Sequence, residues 1–179
     1  MNLKRSEGSM KILIMSDSHG LTSEIIDIKN RHQDEVDLML HCGDSELPYD
    51  CEELSGFIGV KGNCDFGSSL PNEVIEDLHG TTLYMTHGHL YNVKMSLMNL
   101  KYRAIETNAK IACYGHSHIA GAELIDGVVL INPGSIRLPV LRRQKTYAIL
   151  EIKENLVNVT FFEVNGHIVN ELTKEFSIK

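Results

Sequence analysis

The sequence predicts one α/β domain, and three observations carry the prediction. The 179 residues, 42% hydrophobic and 23% charged, suit a single globular domain able to bury about 70% of its unfolded surface. The apolar residues come in short runs closed by turn formers, as buried strands do. Two longer stretches between these runs carry helical spacing.

Ile12 to Met15 is the first strand and runs into Ser16-Asp17-Ser18-His19-Gly20. A helix follows from Ser23 to Gln33, with Thr22 or Ser23 as its cap and Glu24 in its first turn. Val36 to His41 is the second strand, ending in Cys42-Gly43-Asp44, and Phe57 to Val60 the third, ending in Lys61-Gly62-Asn63. Glu73 to Asp77 pairs with Thr82 to Met85 through His79-Gly80, and the second run ends in Thr86-His87-Gly88-His89. A longer helix is expected over Val93 to Thr107, with Val93, Leu97, Leu100, Ala104 and Ile105 on its apolar face and Met98 beside them. Ile111 to Tyr114 ends in Gly115-His116-Ser117-His118. The remainder is strand-rich: Ala122 to Ile125, Val128 to Ile131, Tyr147 to Lys153 and Leu156 to Val164, with tight turns at Asp126-Gly127 and Glu154-Asn155. The tail from His167 to Phe176 fits a strand or a helix.

The opening MNLKRSEGSM lacks the apolar core of a signal peptide. Its Gly8-Ser9-Met10 reads as an expression remnant or upstream start, so residues 1–10 are set aside and 11–179 are taken as the domain. No apolar run approaches the ~20 residues that span a bilayer. A net charge of −7 argues against a long nucleic acid as partner. The densest basic cluster, Arg137, Arg142, Arg143 and Lys145, reads as a solvated turn. Cys42, Cys51, Cys64 and Cys113 form no CxxC pair, which points to reduced thiols and a cytoplasmic location.

Asp17, Asp44, Asn63, His87, His116 and His118 each follow the C-terminal end of an apolar strand, with His19 two residues beyond Asp17. In open α/β sheets ligands bind at that edge. Singly these residues mean little, since a lone histidine after a strand is more often structural. Together they form an inventory of oxygen and nitrogen ligands too large for one tetrahedral ion. Two divalent ions are the natural reading, and mixed imidazole and carboxylate donors suit Mn²⁺ first, with Fe, Zn, Ni or Co as alternatives, rather than Ca, which wants oxygen only. Two such ions outweigh Asp17, Asp44 and a hydroxide in charge, so the site attracts a small anion such as a phosphate ester.

Asp17-x-His19, Gly43-Asp44, Gly62-Asn63, His87 and Gly115-His116-Ser117-His118 resemble the five motifs of the calcineurin-like metallophosphoesterases. Their order and spacing, with the Asn132-Pro133-Gly134-Ser135 turn, resemble its small single-domain phosphodiesterase branch in bacteria and archaea. The resemblance runs from Lys11 to Val164. It implies a four-layer αββα sandwich of two mixed sheets flanked by helices. It also implies that Asp17, His19 and His118 hold one ion, that Asn63, His87 and His116 hold the other, and that Asp44 bridges them. The implied reaction is in-line attack on phosphorus by a metal-bridging hydroxide, without a phosphoenzyme. The branch commonly forms dimers or tetramers.

One departure stands out. Many members have Gly-Asn-His-Asp/Glu where this chain has Gly62-Asn63-Cys64-Asp65, and that histidine protonates the leaving group. A neutral thiol is a poor proton donor beside an imidazolium. Catalysis then depends on good leaving groups, or His89 substitutes. Met95, His32, His41, His79 and His167 read as structural, Cys42 and Cys113 as core, and Asn132 to Gly134 as a turn shaping the rim. A non-catalytic relative, the calcineurin-like scaffold subunit of retromer, is the rival reading. The competent ligand at every motif position argues for the enzyme.

Overall fold

A computed structural model describes residues 8–178. Its strands are β1 (Ser9–Met15), β2 (Leu38–His41), β3 (Phe57–Gly59), β4 (Glu73–Leu78), β5 (Thr81–Thr86), β6 (Ile111–Cys113), β7 (Gly121–Ile125), β8 (Val128–Asn132), β9 (Thr146–Lys153), β10 (Leu156–Glu163) and β11 (Lys174–Ser177), with helices α1 (Ser23–His32) and α2 (Met98–Glu106). They build one sheet in the order β11-β10-β9-β1-β2-β3 and another in the order β4-β5-β6-β8-β7.

Successive strand side chains point to opposite faces, and here both faces are covered. Ile12, Ile14, Leu40, Ala148 and Leu150 of the first sheet meet Leu83, Met85, Ile111, Val129 and Ile131 of the second in one buried cluster. The alternate residues of the same strands face outward. Leu13, Met15, Tyr147 and Ile149 pack against Ile25 and Ile28 of α1, and Tyr84, Ala112 and Leu130 against Leu100 and Ala104 of α2. The order is helix, sheet, sheet, helix. Double coverage explains why the strands read as continuous apolar runs.

Several expectations need correction. Ser9 and Met10 pair with Lys153 and Ile152, so part of the segment set aside as a leader is strand; residues 1–7 lie outside the described residues. Thr22 precedes α1 but its side chain makes no capping hydrogen bond, and Ser23 Oγ instead donates to Glu24. The long helix is not continuous. A 3-10 turn covers His89–Tyr91, Asn92 then takes a left-handed φ of 53°, and α2 begins only at Met98. Ile105 and Met98 are exposed, whereas Lys101 is buried with Nζ 2.6 Å from Asp126. The tail resolves into a 3-10 turn at Asn170–Leu172 and strand β11. No helix of the described residues is long and apolar enough to cross a membrane.

The topology places the site. β1, β2 and β3 run parallel, as do β5, β6 and β8. The loops leaving β1, β2 and β3 therefore emerge on one edge, and those leaving β5 and β6 share an edge in the other sheet. The His116 amide donates to Asp17 Oδ2 at 3.1 Å and so ties the two sets together.

Candidate metal centre

The loops are held in place first by the backbone. The Asp17 amide donates to the Gly43 carbonyl, the His19 amide to that of Asp44 and the Gly115 amide to that of His87. Asp17, His19, Asp44, Glu46, His116 and His118 all adopt positive φ between 43° and 64°. Non-glycine residues rarely stay there unless their surroundings hold them, and such strain gathers at functional sites. Gly62 and Gly115 allow the loops to close, because a Cβ would run into Asp44 at the first and into Ser16 and Asp17 at the second.

Three groups of donors converge: Asp17 with His19 and His118, Asp44 with His87 and His116, and His19 with Asp44 and Cys64. Within each group the donor atoms lie within 4.8 Å of one another. Asn63 joins the second group through Oδ1, 3.2 Å from His87 Nε2. Cys64 stands beside His19 and Asp44, its amide donating to Asp44 Oδ1 at 2.7 Å. His89 lies farther out, its ring 5.4 Å from that of His87 and 6.1 Å from that of His116. Its buried Nδ1 has no hydrogen-bond partner among the described residues.

The imidazoles are aimed. His87 Nδ1 donates to the Cys42 carbonyl at 2.8 Å, His118 Nδ1 to the Leu138 carbonyl at 2.7 Å, and His19 Nδ1 to the Glu46 carboxylate. In each neutral ring the lone pair then sits on Nε2, as metal-ligating histidines require. Those lone pairs face acceptors. The Nε2 atoms of His19 and His118 are 3.3 Å apart. His87 Nε2 is 3.2 Å from both Asp44 Oδ2 and Asn63 Oδ1. Asp17 Oδ1 is buried with no hydrogen bond, 3.1 Å from His118 Nε2 and 3.9 Å from those of His19 and His87. Only protons or cations reconcile so many lone pairs, and the donor set fits divalent ions of the imidazole-binding kind.

The electrostatics agree. Burial opposes charge on both Asp44 and His87. Their mutual hydrogen bond wins, holding the carboxyl well below its usual range and raising the imidazole. The neighbouring Asp17 carboxylate raises His118 as well. These sites attract positive charge. His116, by contrast, is lowered to about 4 by burial and the neighbouring His87.

Several residues to which sequence reading gave no place in holding the ligands hold the site together. Asp65 accepts from the Asp44, Glu46 and Gly62 amides, each at 2.8 Å, and so clamps two loops with one buried carboxylate. Ser135 Oγ donates to the Asp17 carbonyl at 2.7 Å, and the Arg137 guanidinium donates to that of His19. Arg137 is thus part of the scaffold, whereas the sequence suggested only a solvated basic turn. Asn132 is buried and donates to the Gly115 carbonyl and Ser117 Oγ, so this turn supports the site from beneath. Glu46 and Asp65 each sit two residues after a ligand candidate, the only local signal they give.

His41 is a buried companion to the centre. Its Nδ1 accepts from the Gly43 amide and its Nε2–H faces Ser18 Oγ at 2.9 Å, so the neutral ring fits and burial lowers its pKa to about 4. An unfolded histidine titrates near 6.5. Between those values the unfolded chain binds more protons, so stability falls as pH drops through the window. Denaturant unfolding of metal-free protein should show a loss of stability between pH 6.5 and 4 to which His41 contributes on the order of 3 kcal/mol. His41→Gln should flatten part of this slope, the rest belonging to His116; an unchanged slope would remove His41 from the account.

Beside the donors lies a cleft of about 410 Å³, lined by Glu46, Leu47, Pro48, Tyr49, Cys64 and Asp65 through Ser69.

The model of the calcineurin-like phosphoesterase superfamily domain matches residues 10–155. The chain is 45% identical over 169 residues to the "Probable metallophosphoesterase YsnB" of Bacillus subtilis, covering 94% of this chain and 100% of the relative. A crystal structure from Streptococcus pneumoniae TIGR4, described as a conserved uncharacterised protein and predicted phosphoesterase, superposes with a TM-score of 0.91 at 36% identity. That match covers 96% of this chain and 99% of the other. Vacuolar protein sorting 29 from Cryptosporidium parvum shares the fold at a TM-score of 0.75 and 17% identity, covering 96% and 100%.

Proposed function

The chain belongs to the calcineurin-like phosphoesterase superfamily, and from that premise we propose that it is a dinuclear metal-dependent phosphodiesterase acting on small phosphodiesters. The observation that carries the proposal is the buried Asp17 Oδ1, with no hydrogen bond and with three Nε2 atoms around it. In this reading Asp17, His19 and His118 hold one ion, Asn63, His87 and His116 the other, and Asp44 touches both. The ions, Mn²⁺ first among them, would activate a water and neutralise charge developing on the phosphoryl oxygens.

The chain's own groups supply the rest. Glu46 and the carbonyls of Cys42 and Leu138 fix the imidazole tautomers, and Asp65 fixes the loops that carry Asp44 and Asn63. The cleft is lined by two carboxylate residues and no lysine or arginine, so no side-chain cation in it pairs with the second negative charge of a monoester. The four cysteines are free thiols, and a reducing cytoplasm suits them. A scaffold role like that of the retromer subunit is less well supported, because such a role gives no reason to orient the imidazoles of His19, His87 and His118.

Chelation should abolish hydrolysis of an activated aryl diester, and Mn²⁺ should restore it better than Mg²⁺, which disfavours imidazole-rich sites. A chiral phosphorothioate diester should react with inversion at phosphorus. Retention would mean a covalent phosphoenzyme and would overturn the mechanism.

A further inference from the structure

The cleft beside Cys64 has walls of unusual composition. Phe66 is 91% exposed and Tyr49 61% exposed, and both line it with Leu47 and Pro48. A single exposed aromatic residue is ordinary, but two in one cleft that opens on a cluster of metal donors are not. The cleft is continuous with the centre. Cys64 is itself one of its donor groups, and Glu46 anchors the His19 ring.

Charge decides which part of a substrate would lie there. The lining carries Glu46 and Asp65 and no cation, so it repels the phosphoryl group, which the metal donors draw to themselves. The uncharged organic group is what remains. The volume of about 410 Å³ falls within the usual range for small-molecule sites, roughly 300–1,000 Å³. Aromatic walls select planar rings, because stacking gains where an aliphatic chain would only fill space. The walls are also pre-arranged. Asp65 accepts from the Glu46 amide in the loop that carries Tyr49 and from the Gly62 amide in the loop that carries Phe66, so the two loop backbones are tied together before binding.

We propose that Tyr49 and Phe66 form a stacking subsite that selects phosphoesters bearing a planar, uncharged aromatic ring, such as a nucleobase or a phenyl group. The inference rests on the phosphoesterase reading of the adjacent centre and adds a substrate class to it. Leu47 and Pro48 add apolar lining and Ser68 and Ser69 polar lining.

The test compares ligands that differ only in the ring. Adenosine 5′-monophosphate against ribose 5-phosphate, and phenyl phosphate against methyl phosphate, are measured by calorimetry and as inhibitors of the Mn²⁺-loaded full-length protein. The ring-bearing member of at least one pair should bind about 5- to 100-fold more tightly, the range one base–aromatic stack supplies. Phe66→Ala and Tyr49→Ala should bring that ratio toward one, and Phe66→Trp should keep it. Both side chains are exposed, so these variants fold. Equal binding within both pairs, or a preference that survives both alanine variants, overturns the subsite. Turnover of an activated aryl diester, followed in parallel, reports on the phosphoesterase reading separately. A protein that turns over the diester yet ignores the ring has lost only the subsite.

Discussion

Asp44→Asn should strip the protein of metal and lower diester turnover by more than the ~10–100-fold that loss of an outer-sphere partner typically costs. Asp44 belongs to two donor groups, with His19 and Cys64 on one side and with His87 and His116 on the other. Asp44 is the carboxylate that those two groups share. Burial works against its charge, but the hydrogen bonds from His87 and Cys64 hold the carboxyl far below its usual range, so it stays ionised at neutral pH. Asparagine keeps the shape and the oxygen that accepts from the Cys64 amide, and removes the charge. Metal content and turnover should therefore fall together while the fold survives. Two ions per chain with near-full activity would show that Asp44 is not the bridge.

Cys64→His should raise turnover of diesters with poor leaving groups by up to ~10²–10⁴-fold, the usual worth of general acid catalysis. Burial pushes the Cys64 thiol up to about 11, with the neighbouring Asp44 adding to the effect. A proton held that firmly is of little use to a departing alkoxide, whereas an imidazolium near neutrality gives its proton readily. The wild-type rate should consequently fall steeply as leaving-group pKa rises, and the histidine variant should flatten that slope. Cys64→Ala should change little. If Cys64→Ala collapses activity with both metals retained, the thiol has a catalytic role of its own. An unchanged slope in Cys64→His would mean that another donor, His89 first among candidates, already supplies the proton.

Strands were legible because burial on both faces leaves a run such as Ile12 to Met15 wholly apolar. The ligand candidates were legible for a related reason. Each is a polar residue placed where such a run stops, and parallel pairing carries those stops to one edge. Features set by distant contacts were hidden. Ser135 reaches Asp17 and Arg137 reaches His19 across a separation of 118 residues in each case, and nothing local marks either. The long helix was placed too early: residues 93–97 form turns despite their helical spacing, and α2 begins only at Met98. The missing Thr22 cap and the 3-10 turn before β11 are likewise choices of tertiary packing over propensity.

The central claim is that the converging side chains hold two divalent ions which the reaction requires. Titrating metal-free protein with Mn²⁺, while following bound metal and turnover of an activated aryl diester together, tests this most directly. Activity should start from nothing and reach its plateau only when about two ions are bound per chain, as expected for a paired-metal site. Full turnover by the metal-free protein, or a plateau reached with a single ion bound, would contradict it.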